Sequence, residues 1–377
     1  MQYRGLKNTG ERVSVLGLGC MRFPTISENG KESIDEKKAI EMVRYAVDHG
    51  VNYIDTAWTY HGEESERLVG KALRDGYREK VMLATKCPVF LMKKPEEFEQ
   101  ILNKQLEKLE TDHIDFYLMH SLSKNTWENV VLGFGLLEKA LKAKAQGKIR
   151  HIGFSFHDEL PVFKQIIQGF DQWEFCQIQL NYADIENQAG IQGLEYAAAH
   201  NLDVVIMEPL RGGKLAVPPK RVAERLDGRK TPVEWGLDFL WNRPEVGTVL
   251  SGMSNMEQLV QNIGYADCGI AGMLKEEELA MLEDAGEIFN QGALVGCTAC
   301  GYCMPCPAGL NIPEIFRLYN QTGSGDAGNA ASVYEKLEKH AGDCLKCRKC
   351  EKDCPQHIEI HEVMTQADMC FRNLLDK

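Results

Sequence analysis

The chain is short of positive charge. Its 377 residues carry 43 Lys and Arg against 55 Asp and Glu, a net charge of −12, with a sequence pI near 5.4. A polyanion attracts the opposite balance, so nucleic acid is not expected as a partner. Long hydrophobic runs are also missing. No stretch approaches the roughly 18 apolar residues that a membrane helix needs, so no membrane partner is expected either. The opening MQYRGLKNTGERVSVLGLG lacks a charged-then-apolar leader pattern, and a cytoplasmic location is expected. No repeat of solenoid period is evident. The one low-complexity stretch, Gly323 to Gly328, reads as a loop.

Cysteine is scarce through the body and dense in the tail. Eight of the 13 lie between Cys297 and Cys354, while Cys20, Cys87, Cys176, Cys268 and Cys370 are scattered. A reducing cytosol disfavours a disulfide framework, so the dense group is expected to bind metal. The scattered five read as small hydrophobes. Cys87 adjoins a candidate site residue, but nothing marks it as a nucleophile.

The body alternates β-rich runs with helical stretches. After a short N-terminal strand pair come VSVLGLG, VNYIDTA, KVMLATK, IDFYLMH, IRHIGFS, FCQIQLN, LDVVIME and VGTVLSG. Between them, Leu102, Leu106 and Leu109 make one apolar stripe, and Val130, Phe134, Leu137 and Leu141 make another. Alternating βα units imply a parallel sheet, and eight of them fit a (β/α)₈ TIM barrel. A doubly wound sheet is the alternative. Against it, Gly17 and Gly19 lack the third glycine of a GxGxxG turn. The barrel is expected over residues 1–291, ending in an acidic helix around Lys275–Asn290 and a boundary at Gly292–Gly296. A small, mainly helical metal-binding domain is expected over 292–377.

Barrel chemistry sits at the C-terminal ends of the strands. Those ends are polar here: Asp55, Lys86, His120, Ser155, Asn181, Glu208 and Ser251. Each alone has a structural explanation, but their recurrence strand after strand points to a site. Tyr60 lies five residues past Asp55. A tyrosine is a poor acid near neutrality, and a lysine ammonium beside it favours the phenolate. Lys86 fits that role, with Asp55 to hold it and His120 to orient a carbonyl oxygen. Tyr60 then becomes a general acid.

These residues carry a resemblance. Leu18 to Gly264 resembles the aldo-keto reductase family. GVNYIDTAWTYHGEESERLVGKAL is similar to its most diagnostic motif, with Asp55, Tyr60, Gly62, Ser65, Glu66 and Gly70 in place. KVMLATK and IDFYLMH resemble the strands that carry the family lysine and histidine. The resemblance implies reduction of an aldehyde or ketone, or the reverse, with NAD or NADP. It implies the tetrad Asp55, Tyr60, Lys86 and His120, and a small carbonyl compound as substrate. It maps the nicotinamide carboxamide to Ser155 and Gln177, with Asn181 close by. Where the family usually has Asn after that serine, this chain has Phe156. Met207 stands where many members stack an aromatic ring, and a methionine also covers an aromatic face. EPLRGGKL is similar to the pyrophosphate-contacting segment, with Gly212 and Gly213. SGMSNMEQLVQN offers Gln258 and, for the adenine, Asn262. NADP-preferring members carry basic residues there, whereas Gly252, Met253, Ser254 and Gln258 carry no charge. A weak NADP preference is therefore expected, with Arg211 or Lys214 as partial substitutes. Trp58 and Tyr182 read as pocket lining or as packing aromatics.

The tail reads Cys297-x₂-Cys300-x₂-Cys303-x₂-Cys306-Pro307, then Cys344-x₂-Cys347-x₂-Cys350-x₃-Cys354-Pro355. The second run has the bacterial ferredoxin spacing, and the first is one residue short before its last cysteine. Structural zinc is the alternative, but it favours two separated CxxC pairs. The tail resembles a two-cluster 4Fe–4S ferredoxin module of the helical type, given the helical patterns IPEIFRLYN and ASVYEKLEKH between the runs. The resemblance implies one cluster on Cys297, Cys300, Cys303 and Cys354, and another on Cys306, Cys344, Cys347 and Cys350. His357 and His361 read as a solvated face before a metal pair. Electron exchange between clusters and nicotinamide, or with a redox partner protein, is expected. The alternative is a non-catalytic nucleotide- and redox-sensing regulatory or electron-transfer subunit.

Overall fold

The computed structural model describes residues 1–28, 31–323 and 327–375. Of the loop expected at Gly323–Gly328, Ser324, Gly325 and Asp326 lie outside the described residues. The chain folds as two units. One is Met1–Pro209 with Val233–Glu276, and the other is Leu210–Pro232 with Glu277–Lys377.

The first unit is a closed parallel barrel. Its strands are β3 (Leu16–Gly19), β6 (Tyr53–Asp55), β7 (Met82–Cys87), β8 (Ile114–Leu122), β9 (Ile149–Phe156), β10 (Phe175–Gln179), β11 (Asp203–Met207) and β12 (Val246–Ser251). They close in the order β10-β11-β12-β3-β6-β7-β8-β9. Each of the eight β-rich runs supplies one barrel strand. Their residues are buried on both faces, which is why the runs are continuously apolar rather than alternating. The expected N-terminal pair is β1 (Tyr3–Gly5) with β2 (Arg12–Ser14), antiparallel. Leu6 and Val13 from this hairpin join Tyr53, Phe116, Phe175, Val205 and Leu250 in one buried cluster. Rings meet edge-on within it, Tyr53 to Phe116 at 5.1 Å and Phe116 to Phe175 at 4.9 Å. The barrel is thus plugged by side chains, and its chemistry is left to the C-terminal strand ends. A second hairpin, β4 (Thr25–Glu28) with β5 (Lys31–Ile34), is not legible in the sequence pattern.

One expected helix is broken. A single stripe over Val130, Phe134, Leu137 and Leu141 does not form. Residues Trp127–Leu132 form a π-helix, Gly135 takes a left-handed conformation at φ 61°, and a new helix runs Leu136–Ala145. The buried face is instead Trp127, Val131, Leu136 and Ala140. The glycine pair around Phe134 resets the helical phase, so the period read across it fails.

In the second unit, helices Ile312–Gly323, Ala327–Tyr334 and Ile360–Leu375 share a core of Ile312, Ile315, Phe316, Leu318, Ala330, Tyr334, Met364 and Phe371. Tyr334 and Phe371 stack at 3.8 Å, and Tyr334 Oη accepts from the Ala341 amide at 2.7 Å. The ASVYEKLEKH pattern is helical only as far as Tyr334. The unit also takes helix Glu276–Gln291 from Glu277 onward, and the segment Leu210–Pro232. A single cut at 291/292 therefore departs from the two folded units. Ion pairs join the two pieces within this unit: Arg225 with Asp284, and Arg229 Nη2 3.3 Å from Glu278 Oε1. Among the described residues, no helix is long and apolar enough to cross a membrane.

Candidate active site

The strands run parallel, so their C-terminal ends lie at one end of the barrel, and the polar residues there converge. Lys86 on β7 is fully buried, and Asp55 at the end of β6 is 2% exposed. A buried ammonium demands a partner. Lys86 Nζ donates to Asp55 Oδ1 at 2.6 Å, Asp55 Oδ2 at 2.8 Å and the Thr56 carbonyl at 2.8 Å. It also lies 3.4 Å from Tyr60 Oη. Burial pushes the Asp55 carboxyl above its ordinary pKa, and the charge of Lys86 works against that rise. His120 on β8 is 3% exposed, and its ring lies edge-on to Tyr60 at 6.3 Å. Its Nδ1 has no hydrogen-bond partner among the described residues. Burial first, and then the Lys86 charge, push its pKa well below the usual value, so the imidazole is neutral at physiological pH. Asp55, Tyr60, Lys86 and His120 thus share one cluster.

Behind this cluster lies a support in which the sequence motif marks Glu66 but not its partners. Glu66 is fully buried, and its Oε1 accepts from Thr85 Oγ1 at 2.7 Å and Gln105 Nε2 at 2.6 Å. Lys108 Nζ lies 3.3 Å from Glu66 Oε2. Gln105 Nε2 also donates to the Lys86 carbonyl at 3.0 Å. Phe90 is equally hidden in the sequence. It stands in the loop after β7, 41% exposed, edge-on to His120 at 5.4 Å. Loop apolar residues carry no period that would single them out.

On the neighbouring strands, Ser155 and Gln177 are register partners on β9 and β10. Ser155 Oγ accepts from the Ser121 amide at 2.7 Å, which leaves its hydroxyl hydrogen to donate elsewhere. Gln177 Nε2 meets Met207 Sδ at 3.4 Å, while its buried Oε1 has no partner among the described residues. An orphaned buried acceptor beside a hydroxyl and a thioether suits a carboxamide on an aromatic ring. Asn181 donates to the Glu208 carbonyl at 3.1 Å. Phe156 is buried against Phe163 at 5.0 Å and serves the core.

Gln258 and Asn262 lie on helix Met256–Tyr265. Asn262 is buried and donates to Ser251 Oγ at 3.1 Å, whereas Gln258 Oε1 accepts from the Ser254 amide at 2.8 Å. A cation does reach this segment from elsewhere in the chain. The stem of Arg22 lies 3.3 Å from where a Cβ on Gly252 would stand, so a side chain there would have to push it a few tenths of an ångström aside. Gly212 and Gly213, at φ 66° and 94°, belong to the second unit. Trp58 takes the Lys108 ammonium on its face, with Nζ 3.8 Å from the ring centroid. Tyr182 is buried and meets Phe239 edge-on at 6.5 Å. Burial pushes the Cys87 thiol up to about 12, consistent with an inert side chain.

In the second unit the eight cysteines line two separate cavities. One is walled by Cys297, Cys300, Cys303 and Cys354, with Phe316 and Ile358. The other is walled by Cys306, Cys344, Cys347 and Cys350, with Leu310 and Met364. The fourth cysteine of each run crosses to the other run's cavity. Burial and the crowding of Cys300, Cys297 and Cys354 push the Cys303 thiol up to about 12. Burial pushes Cys350 up to about 11, with Cys306 and Cys344 among the lesser causes. Ala299, Lys346 and Arg348 have positive φ within the cysteine turns, a backbone form that turns amides toward an anionic cluster. Among the described residues, no three His, Cys, Asp or Glu side chains gather closely enough for a single metal ion. His361 is bound by Glu351 Oε1 at 2.6 Å and Arg348 Nη2 at 2.9 Å. His357 precedes the helix that starts at Ile360, so the two do not share a helical face.

Residues 15–220 match the aldo/keto reductase family, and residues 296–359 match the 4Fe-4S dicluster domain. An uncharacterized oxidoreductase, YqkF of Bacillus subtilis, is 25% identical over 75% of this chain and 96% of its own length. The holo form of aldo-keto reductase AKR11C1 from Bacillus halodurans superposes with a TM-score of 0.64. It is 24% identical over 76% of this chain and 96% of that one. An aldo/keto reductase from Klebsiella pneumoniae, solved with NADP and acetate, gives a TM-score of 0.60. It is 25% identical over 75% of this chain and 93% of that one. With the family match spanning more than half of its length, the chain belongs to the aldo/keto reductase family of oxidoreductases and carries a C-terminal 4Fe-4S dicluster domain.

Proposed function

We propose that the protein interconverts a small aldehyde or ketone and its alcohol with NAD or NADP, with Tyr60 as general acid. We propose further that two 4Fe–4S clusters exchange electrons with the nicotinamide. The observation that carries the first part is Lys86, held by Asp55 at 2.6 and 2.8 Å and lying 3.4 Å from Tyr60 Oη.

A nicotinamide held here would supply hydride chemistry at the carbonyl carbon. The chain supplies the rest. Neutral His120 donates one ring N–H to the carbonyl oxygen and fixes its direction. Tyr60 gives its proton to that oxygen, and the phenolate left behind is stabilised by the Lys86 ammonium. Asp55 keeps that ammonium in place, so the charge is arranged before the substrate arrives. Ser155 and Gln177 would hold the carboxamide, and Met207 would cover the ring. Gly212 and Gly213 would meet the pyrophosphate, with Gln258 and Asn262 at the adenosine end. The uncharged sequence of 252–256 and 258–262 supports acceptance of NAD, while Arg22, whose stem lies beside Gly252, and the NADP complex of the Klebsiella relative support NADP.

The two cavities favour Cys297, Cys300, Cys303 and Cys354 for one cluster and Cys306, Cys344, Cys347 and Cys350 for the other. Bound clusters supply one-electron steps, and two of them match the two electrons of a hydride. A redox partner protein and a reducing cytoplasm fit this chemistry.

The test is anaerobic purification, iron and sulfide counts and EPR, followed by titration with NADH and NADPH. Either nucleotide should bleach the cluster absorbance. Failure to bleach, with and without a carbonyl substrate, rejects the electron exchange. Turnover of a generic aldehyde that is lost on Tyr60→Phe separates this enzyme from a non-catalytic sensor.

A further inference from the structure

We infer that the nucleotide loop and the first iron–sulfur cavity are electrostatically linked, so that a pyrophosphate bound at Leu210–Leu215 lowers the reduction potential of the cluster on Cys297. Reduction of that cluster weakens nucleotide binding in return. The inference rests on the nucleotide and cluster sites proposed above.

The loop belongs to the same folded unit as the cysteines. Two cations fasten it there. Lys214 Nζ donates to the carbonyl oxygen of Cys297 itself, at 2.5 Å. Arg211 is 8% exposed and donates to Asn290 Oδ1 at 3.0 Å, with its guanidinium over the Phe289 ring at 5.1 Å. Its Nη2 is also 3.7 Å from where a Cβ on Gly296 would stand, one residue before Cys297. The segment between is pinned by Asn320. Its Oδ1 accepts from the Leu294 and Val295 amides at 2.8 and 2.9 Å, and its Nδ2 donates to the Val295 carbonyl at 2.9 Å. The approach to Cys297 is therefore held by Asn320 and by Lys214, and it cannot yield freely when Lys214 is drawn elsewhere.

The sign follows from charge. A cation beside a cluster favours its reduced form, which carries one more negative charge. A pyrophosphate drawn to Arg211 and Lys214 offsets those cations, so reduction becomes harder while it is bound. Linkage makes the effect reciprocal: the factor by which pyrophosphate disfavours reduction is the factor by which reduction weakens binding.

The probe is ADP-ribose, which carries the pyrophosphate but no nicotinamide and so exchanges no electrons. Anaerobic holoenzyme is titrated with it calorimetrically, once oxidised and once reduced by dithionite. Midpoint potentials are read by EPR with and without it. The expected result is about tenfold weaker binding to the reduced protein. That corresponds to a downward shift of about 59 mV for a one-electron couple. It should fall mainly on the cluster of Cys297, Cys300, Cys303 and Cys354. Lys214→Ala should diminish the difference and Lys214→Arg should retain it. Equal affinity in wild-type oxidised and reduced protein overturns the inference and leaves the nucleotide reading standing. No binding of ADP-ribose in either state overturns both. The wild-type comparison decides even if Lys214→Ala fails to assemble its clusters.

Discussion

The barrel and the C-terminal unit prepare their sites in opposite ways. In the barrel, the Lys86 charge is neutralised in advance by Asp55, and Glu66 is met by Thr85, Gln105 and Lys108. The constellation is complete within the fold. In the C-terminal unit, four cysteines line each cavity, and burial raises the thiol pKa of Cys303, Cys350 and Cys354. That donor set is stable as thiolates only with a cation cluster bound, so its folding is expected to depend on metal. One chain thus combines a site that is preorganised without ligand and a site that requires one.

The sharpest way to test this contrast is Tyr60→Phe. Loss of a general acid is expected to lower carbonyl turnover by about 10²–10⁴-fold. Steady-state rates check it, and the iron count should not change. The converse is Cys347→Ala, which removes one ligand of the second cavity. Iron should fall from about eight to about four per chain. Circular dichroism should then show a destabilised C-terminal unit beside an unchanged barrel transition. A barrel that melts with it would break the comparison.

Asp55→Ala leaves Lys86 buried without its carboxylate. Loss of one partner of a buried pair costs about 3–5 kcal/mol, read as an earlier barrel transition in denaturant. A fourth test uses pH. His120 has a folded pKa well below the unfolded value of about 6.5, so the unfolded chain binds a proton that the folded chain refuses. Barrel stability should fall as pH drops below about 6.5, and His120→Asn should remove that part of the slope. The smallest expected effect is at Gln177. Replacing it with Ala removes one neutral hydrogen bond of about 1 kcal/mol, so nicotinamide nucleotide should bind about fivefold more weakly. An affinity unchanged within twofold would remove Gln177 from the site.

Much of this is legible in order along the chain. The eight apolar runs become eight strands because parallel barrel strands are buried on both faces and need no alternation to be recognised. The two cysteine runs stand out by their spacing, whereas the ligand sets are what the ferredoxin resemblance implies, because the fourth cysteine of each run belongs with the distant run. Legibility fails where side chains meet without a local rule. Arg22 reaches Gly252 across more than two hundred residues, and Phe90 reaches His120 from a loop. The helical stripe at Val130 fails because Gly135 resets the phase.

What the sequence by itself determined is the inventory: a barrel's worth of βα units, a tyrosine and a lysine near strand ends, and two cysteine runs. These are properties of composition and period, which survive without knowledge of tertiary neighbours. The tertiary structure decided the pairings. It set the Lys86 ammonium between Asp55 and Tyr60, separated the eight cysteines into two cavities of four, and joined the glycine loop at Gly212 to the cysteine unit through Lys214. Hydrogen bonds and buried charges act over about 3 Å, and which groups come within that reach is set by how the chain packs.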